Sequence, residues 1–230
     1  MNNKGADIHF EAGNSEGHGG LFISLEGVET SGKTTQADLL VSWLKTRGYD
    51  VLQTREPGGS SVSELIRSLL LRVDQDSDEN ITPQAETLLF AASRAQLVHN
   101  VIRPALQSGT VVVCDRYIDS SLAYQGFGLG IPLADIWDIN LFATGNLMPD
   151  LTFVLGRGSK LFSADEKPAD DRIEARSKEF HSRVRRGYHS LAQRFSDRIV
   201  LVDTRGGVRR TAQYIRGIVG ERLNDELVRS

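Results

Sequence analysis

The sequence predicts an α/β fold in three layers, a five-stranded parallel sheet flanked by helices. Three observations carry this expectation. Five short candidate strands, 21–25, 50–54, 110–114, 151–155 and 199–202, most of them apolar, alternate with stretches of helical periodicity. The first run leads directly into a glycine-bounded loop and then a helix, the order that a phosphate-cradling turn requires. At 230 residues the chain is long enough for one substantial core and too short for two comfortable domains.

Taken in order, residues 1–20 are polar and glycine-rich without periodicity and read as a flexible N-terminal leader, leaving 21–230 as a single domain. The loop Gly27-Val28-Glu29-Thr30-Ser31-Gly32-Lys33-Thr34 has a glycine, four free positions, then Gly-Lys-Thr. Ala37, Leu40, Val41 and Leu44 follow at helical spacing. Loop amides and the positive helix end can surround phosphate oxygens, with Lys33 on the outer phosphates and the Thr34 hydroxyl on Mg2+. The expected ATP-binding set is thus Gly27, Val28, Glu29, Thr30, Ser31, Gly32, Lys33, Thr34 and Thr35.

Arg47-Gly48 closes this helix, and the second strand ends in the loop Arg55-Glu56-Pro57-Gly58-Gly59, on the sheet edge where ligands bind in open parallel sheets. A helix over 61–72 precedes an acidic, solvated loop at 74–80. Thr82-Pro83 starts a long helix to about Gln107, with Pro104 as a kink or early stop; Glu86, Phe90 and Arg94 share one face of it. The third strand ends in Asp115-Arg116-Tyr117, where an aspartate can assist Mg2+. Helices are expected over 120–126, 133–147, 173–195 and 208–223, with 157–171 as a mobile loop and Arg183, Arg185 and Arg186 as a solvated basic face.

Net charge of −3 and a pI near 6.0 leave no basic field to suggest nucleic acid or an anionic membrane surface. Cys114 is the only cysteine, which excludes an intramolecular disulfide or a cysteine-built zinc site; within Val111-Val112-Val113-Cys114 it reads as a buried structural thiol. No membrane span or signal peptide is apparent, and the expected location is cytoplasmic.

A second substrate must be read from the rest of the chain. The Asn-Lys-x-Asp motif of GTP-binding switches does not occur, whereas Arg55, Arg94 and Arg116 fall at ligand-facing places and suit a second phosphate. With 25–27, 31–36, 54–59, 88–96, 114–117, 123–126, 149–152, 171–174 and the 180–188 segment taken together, the chain resembles the thymidylate kinases over about 21–223, in a bacterial-like form.

That resemblance implies a P-loop kinase fold, a homodimer, and in-line transfer of the ATP γ-phosphoryl group to dTMP, giving dTDP. It places Phe90 on the thymine and Arg94 on base and phosphate, with Arg55 and Arg116 on the acceptor phosphate. Ser121 and Gln125 would read the base edge, Tyr124 would crowd the sugar 2′ position, and Glu29 would lie near the 3′-OH. Lys33, Arg116 and Asp115 become the catalytic set, with Thr34 and Asp115 as metal ligands. The lid, about 157–171, is atypical: Leu155-Gly156-Arg157-Gly158 replaces Leu-Asp and an arginine-rich helix, and 160–170 holds no arginine. Arg157 or Arg172 is expected to take the lid arginine's part. The alternatives are a catalytically impaired nucleotide-binding regulatory protein and a related deoxynucleoside or nucleotide kinase.

Overall fold

The computed structural model describes residues 19–71, 80–156 and 171–229. The strands are β1 (Phe22–Glu26), β2 (Val51–Arg55), β3 (Val111–Asp115), β4 (Leu151–Gly156) and β5 (Ile199–Asp203), each within a residue of the expected run at either end. All neighbours are parallel, in the order β2-β3-β1-β4-β5. This order puts β1 in the centre and pairs Leu25 with Asp115, so the loop after β1 opens beside the end of β3.

The helices are α1 (Lys33–Thr46), α2 (Ser61–Leu71), α3 (Pro83–Leu97), α4 (Arg103–Gln107), α5 (Ile118–Ser121), α6 (Leu133–Thr144), α7 (Lys178–Arg194) and α8 (Gly207–Arg229). Because strand side chains alternate, the sheet builds two cores. Phe22, Val112, Cys114 and Val154 pack with residues of α3, α6 and α7 on one face. Ile23, Leu25, Val113, Phe153 and Leu155 pack with α1 and α8 on the other. Burying both faces explains why β1, β3 and β4 read as largely apolar runs, whereas the edge strand β2, VLQTR, is half-buried and mixed.

Four expectations need correction. Pro104 neither stops nor simply kinks the long helix: a wide π turn at Val98–Ile102 follows α3, and α4 resumes with Pro104 in its first turn. A proline ring crowds the carbonyl four residues back and offers it no N–H, a mismatch the wider turn takes up. The helix expected from Ser120 starts as α5 at Ile118 and widens into a π segment, Leu122–Gly128, through the glycines expected to interrupt it. α6 ends at Thr144, where Gly145 turns left-handed (φ 57°). α7 starts at Lys178 rather than Ile173. Ser177 caps it by accepting from Phe180 N–H (3.3 Å), while the Asp171 carboxylate accepts from Ile173 and Glu174 N–H (2.8 and 2.9 Å) and folds that stretch into a turn.

Arg183 is less free than a solvated face implies, donating twice to the Gly128 carbonyl (3.0 and 2.7 Å). Leader residues 1–18, acidic-loop residues 74–79 and lid residues 157–170, including Arg157, lie outside the described residues.

α7 approaches the π segment closely because both carry glycine at the contact. A Cβ on Gly187 would fall 2.7–2.9 Å from Cδ2, Cγ and Cβ of Phe127. The Phe127 Cβ cannot swing away, so the helix itself would have to move. Gly187→Ala is expected to lower stability by about 1–3 kcal/mol despite alanine's better helix propensity, read as the shift in denaturant midpoint; a midpoint at or above that of the parent would show that α7 has slack here.

Candidate active site

The carboxyl ends of β1, β2 and β3 converge on a cavity of about 210 Å3. Its donor side is the glycine loop. Gly27 (φ 131°) allows the loop to leave β1 against β4, since a Cβ there would lie 2.5 Å from the Leu155 carbonyl oxygen. Lys33, buried, crosses the loop to donate to the Val28 carbonyl (2.9 Å). Burial, then the Arg116 cation, lower its pKa to about 8, opposed by Glu29 and Asp115; it remains a cation at neutral pH. The Thr34 hydroxyl donates to Asp115 Oδ2 (2.7 Å), bringing together the two oxygens expected to ligate metal. Among the described residues there is no cluster of three or more His, Cys, Asp or Glu that could hold an ion by itself. A hydroxyl and a carboxylate beside a phosphate loop are oxygen donors of the kind that would fit a Mg2+.

Arg116 follows β3 in a left-handed conformation (φ 73°), costly for a side chain of this size. The turn aims its guanidinium back at the loop, where it donates to the Gly27 carbonyl (3.0 Å), pairs with the Glu29 carboxylate and lies 5.2 Å from the Tyr124 ring centroid. Although partial burial opposes it, Arg116 and then Lys33 hold the Glu29 carboxyl down at about 2.

The acceptor side holds Phe90, Arg94, Ser121, Tyr124 and Gln125, with Arg55 half exposed and paired to Glu64 (3.0 Å). Arg94 is the surprise: it lines the cavity yet is only 1% exposed, and each of its three nitrogens donates to a protein partner. Nε donates to Glu56 Oε2 (2.8 Å), Nη1 to Ser121 Oγ (3.0 Å) and Asn140 Oδ1, and Nη2 to the Tyr117 carbonyl (3.1 Å), while Nη2 also lies in ion-pair contact with Glu56 Oε2 (2.5 Å). Arg172 is not brought to Lys33 and Asp115. It donates to Glu86 Oε2 (2.7 Å) and the Leu70 carbonyl (3.2 Å).

Sequence reasoning missed several charges that shape the cavity. Glu56 and Glu86 are buried partners of the arginines just named, and Arg67 and His181 line the wall. Glu26, at the end of β1, is wholly buried and accepts from Tyr117 N–H (2.7 Å), Ser120 Oγ (2.5 Å) and Tyr188 Oη (2.9 Å). Burial, then the nearby Asp119 carboxylate, push its pKa up to about 7. The only local signal was an acidic residue closing an otherwise apolar strand. Cys114, as expected, is buried; its thiol donates to the Arg116 carbonyl (3.0 Å), and burial raises its pKa further.

Comparison with known proteins gives the same family throughout. A family model described as thymidylate kinase matches residues 25–215. The thymidylate kinase of an Exiguobacterium species is 48% identical over 186 residues, 80% of this chain and 86% of the relative. That of Gloeobacter violaceus is 46% identical over 211 residues, 89% and 97% of the two chains. The crystal structure of thymidylate kinase from Ehrlichia chaffeensis superposes with a TM-score of 0.70 at 30% identity, covering 87% of this chain and 98% of that one.

Glu26 makes stability depend on pH in a defined window. Between its unfolded value of 4.5 and about 7 the native state keeps a proton that the unfolded chain has released, so raising pH through that window removes stability. Glu29 acts in a separate window, since its contribution is lost only as pH falls from 4.5 toward about 2. Glu26→Gln should therefore gain on the parent protein between pH 5 and 8, by at most on the order of 3 kcal/mol. Denaturant unfolding at both pH values measures this; a difference that does not change with pH would mean that Glu26 is ionised throughout.

Proposed function

The chain belongs to the thymidylate kinase family and phosphorylates dTMP to dTDP, the step toward dTTP; we propose how its residues divide that work. The observation that carries the assignment is a single cavity lined by Lys33, Thr34 and Asp115 from the phosphate-loop side and by Arg55, Phe90 and Tyr124 from the other. Two phosphate-bearing substrates can meet there without a second site.

The amides of residues 27–35 and the Lys33 ammonium hold the donor's phosphates. Thr34 and Asp115 hold the Mg2+ that accompanies ATP, whose chemistry is to neutralise phosphate charge. Phe90 offers a face to the thymine, Tyr124 closes the space beside the sugar, and Arg55 and Arg116 hold the acceptor phosphate. Arg116 is paired with Glu29, so an incoming phosphate competes for it with a carboxylate that also accepts from a sugar hydroxyl. The acceptor oxygen is already ionised, so no strong base is needed. Aligning it in line with the γ-phosphorus and balancing charge supply the acceleration. Arg94, buried and bonded through all three nitrogens, acts from the floor by holding Ser121 and the Tyr117 carbonyl in place. With Arg172 tied to Glu86, Arg157 is the lid arginine we assign to the transition-state charge.

We also propose a homodimer, in the cytoplasm. No helix among the described residues is long and apolar enough to cross a membrane. Leu65 and Leu69 of α2, Leu88 of α3 and Phe142 of α6 stand out from three helices that pack on one another, Phe142 being 91% exposed and Leu65 72%. A solvated monomer gains nothing from such groups.

Purified protein with Mg-ATP should release ADP with dTMP in preference to dUMP, dCMP or thymidine. Lys33→Ala should lose roughly 10²–10³-fold in kcat, in line with removal of one preorganised donor. Its thermal midpoint should not fall, because burial already disfavours the charge. Equal loss of stability and activity would sink the assignment of Lys33 to the chemistry. In sedimentation velocity, Leu65→Glu with Phe142→Glu is expected to convert a dimer to a monomer; an unchanged sedimentation coefficient would remove this face from the interface.

A further inference from the structure

At the start of α3, Glu86 is completely buried although it carries a charge. Both its oxygens are occupied. Oε2 accepts from Arg172 Nη2 (2.7 Å) and Arg176 Nη2 (2.6 Å), and Oε1 from Arg176 Nη1 (3.2 Å) and Gln125 Nε2 (3.1 Å). Burial works against the carboxylate, but the Arg176 and Arg172 hydrogen bonds win and hold its pKa below the usual carboxylate value.

An ionised carboxylate only accepts hydrogen bonds, and a side-chain amide has one donating and one accepting end. Glu86 therefore compels Gln125 to turn its NH2 group inward, and what Gln125 can show the cavity it lines is its carbonyl oxygen. This orientation follows from the chemistry of the partner rather than from a choice between indistinguishable atoms. A carbonyl acceptor suits a base whose ring nitrogen carries a proton, as in thymine and uracil, and opposes the lone pair of cytosine N3.

We propose that Glu86, clamped by Arg172 and Arg176, is a specificity-positioning residue that locks the Gln125 amide with its oxygen toward the base and so excludes cytosine nucleotides. The proposal rests on Gln125 reading the base edge. It gives Arg172, just past the atypical lid, a task in acceptor selection, and it couples the turn at 171–177 to the base pocket through one buried carboxylate. Glu86 touches no substrate in this account and acts through Gln125.

The test compares kcat/KM for dTMP, dUMP and dCMP in the parent, Glu86→Gln, Glu86→Asp and Gln125→Ala. In Glu86→Gln the new amide can donate as well as accept, so Gln125 is free to flip. The dTMP-to-dCMP preference should fall about tenfold or more, within the range by which a polar mismatch discriminates. The dTMP-to-dUMP ratio should stay constant, because the two bases share this edge. Turnover of dCMP should rise in absolute terms, which general damage to the pocket does not produce. Glu86→Asp, still acceptor-only, should keep the preference. If Glu86→Gln slows all three nucleotides equally while Gln125→Ala erodes the dTMP preference, Gln125 reads the base but Glu86 does not set it, and the proposal fails alone. If Gln125→Ala leaves the preference intact, the base-reading assignment itself fails. Should Glu86→Gln not fold, adding Arg172→Met removes one of the two cations left facing a neutral amide, and the same signature is expected.

Discussion

At the end of the central strand sits a carboxylate without access to water, and much of the working edge is arranged to satisfy it. Burying Glu26 is tolerable only because three donors reach it, and those donors come from residues 117, 120 and 188. Meeting that requirement fixes the turn after β3 against the phosphate loop and draws α7 over both. Beneath it the polar layer continues, with Asp119 accepting from Arg198 (2.7 and 2.9 Å) and from Thr152 (3.2 Å), whose hydroxyl also meets that of Ser24 on β1 (2.8 Å). Central and outer strands are thus tied by polar contacts as well as by apolar packing.

The same logic separates arginines that look equivalent in the sequence. Arg94 is a cross-link: it joins α3 to the loop after β2 through Glu56, to α6 through Asn140, and to the turn after β3 through a backbone carbonyl. Arg55 is half exposed with one carboxylate partner, and Arg116 sits on a strained turn facing another. Strain of this kind persists only where the surroundings insist on it, and here they include Glu26 on one side and Gly27 on the other. Arg94 belongs to the frame, and Arg55 and Arg116, each with a carboxylate partner, line the cavity.

How much of this was legible follows from whether the cause is local. The inner strands were visible because both faces of the sheet are covered, which makes their runs largely apolar, as in Val111-Val112-Val113. The phosphate loop was visible because its chemistry dictates a spacing. Strand order left no trace, since it arises from how helices cross over the sheet. The π turns at 98–102 and 122–128 were also hidden: a proline or glycine marks a problem for the helix without saying how it is solved. Glu86 could be put on the same helical face as Phe90 and Arg94, but its partners lie 39 to 90 positions away. Arg172 was one of two candidates for the lid arginine, and its tie to a buried carboxylate on another helix has no counterpart in local pattern.

The lone thiol at the end of β3 has a practical side. Cys114 sits one residue before Asp115, walled in on the sheet and hydrogen-bonded to the carbonyl of Arg116. A water-soluble alkylating reagent can reach it only when this part of the sheet opens. Since the chain has a single cysteine, each molecule that opens gains one adduct and one mass increment. The protein thus carries its own clock for the breathing of its catalytic edge, one that nucleotide should slow without any foreign label being introduced.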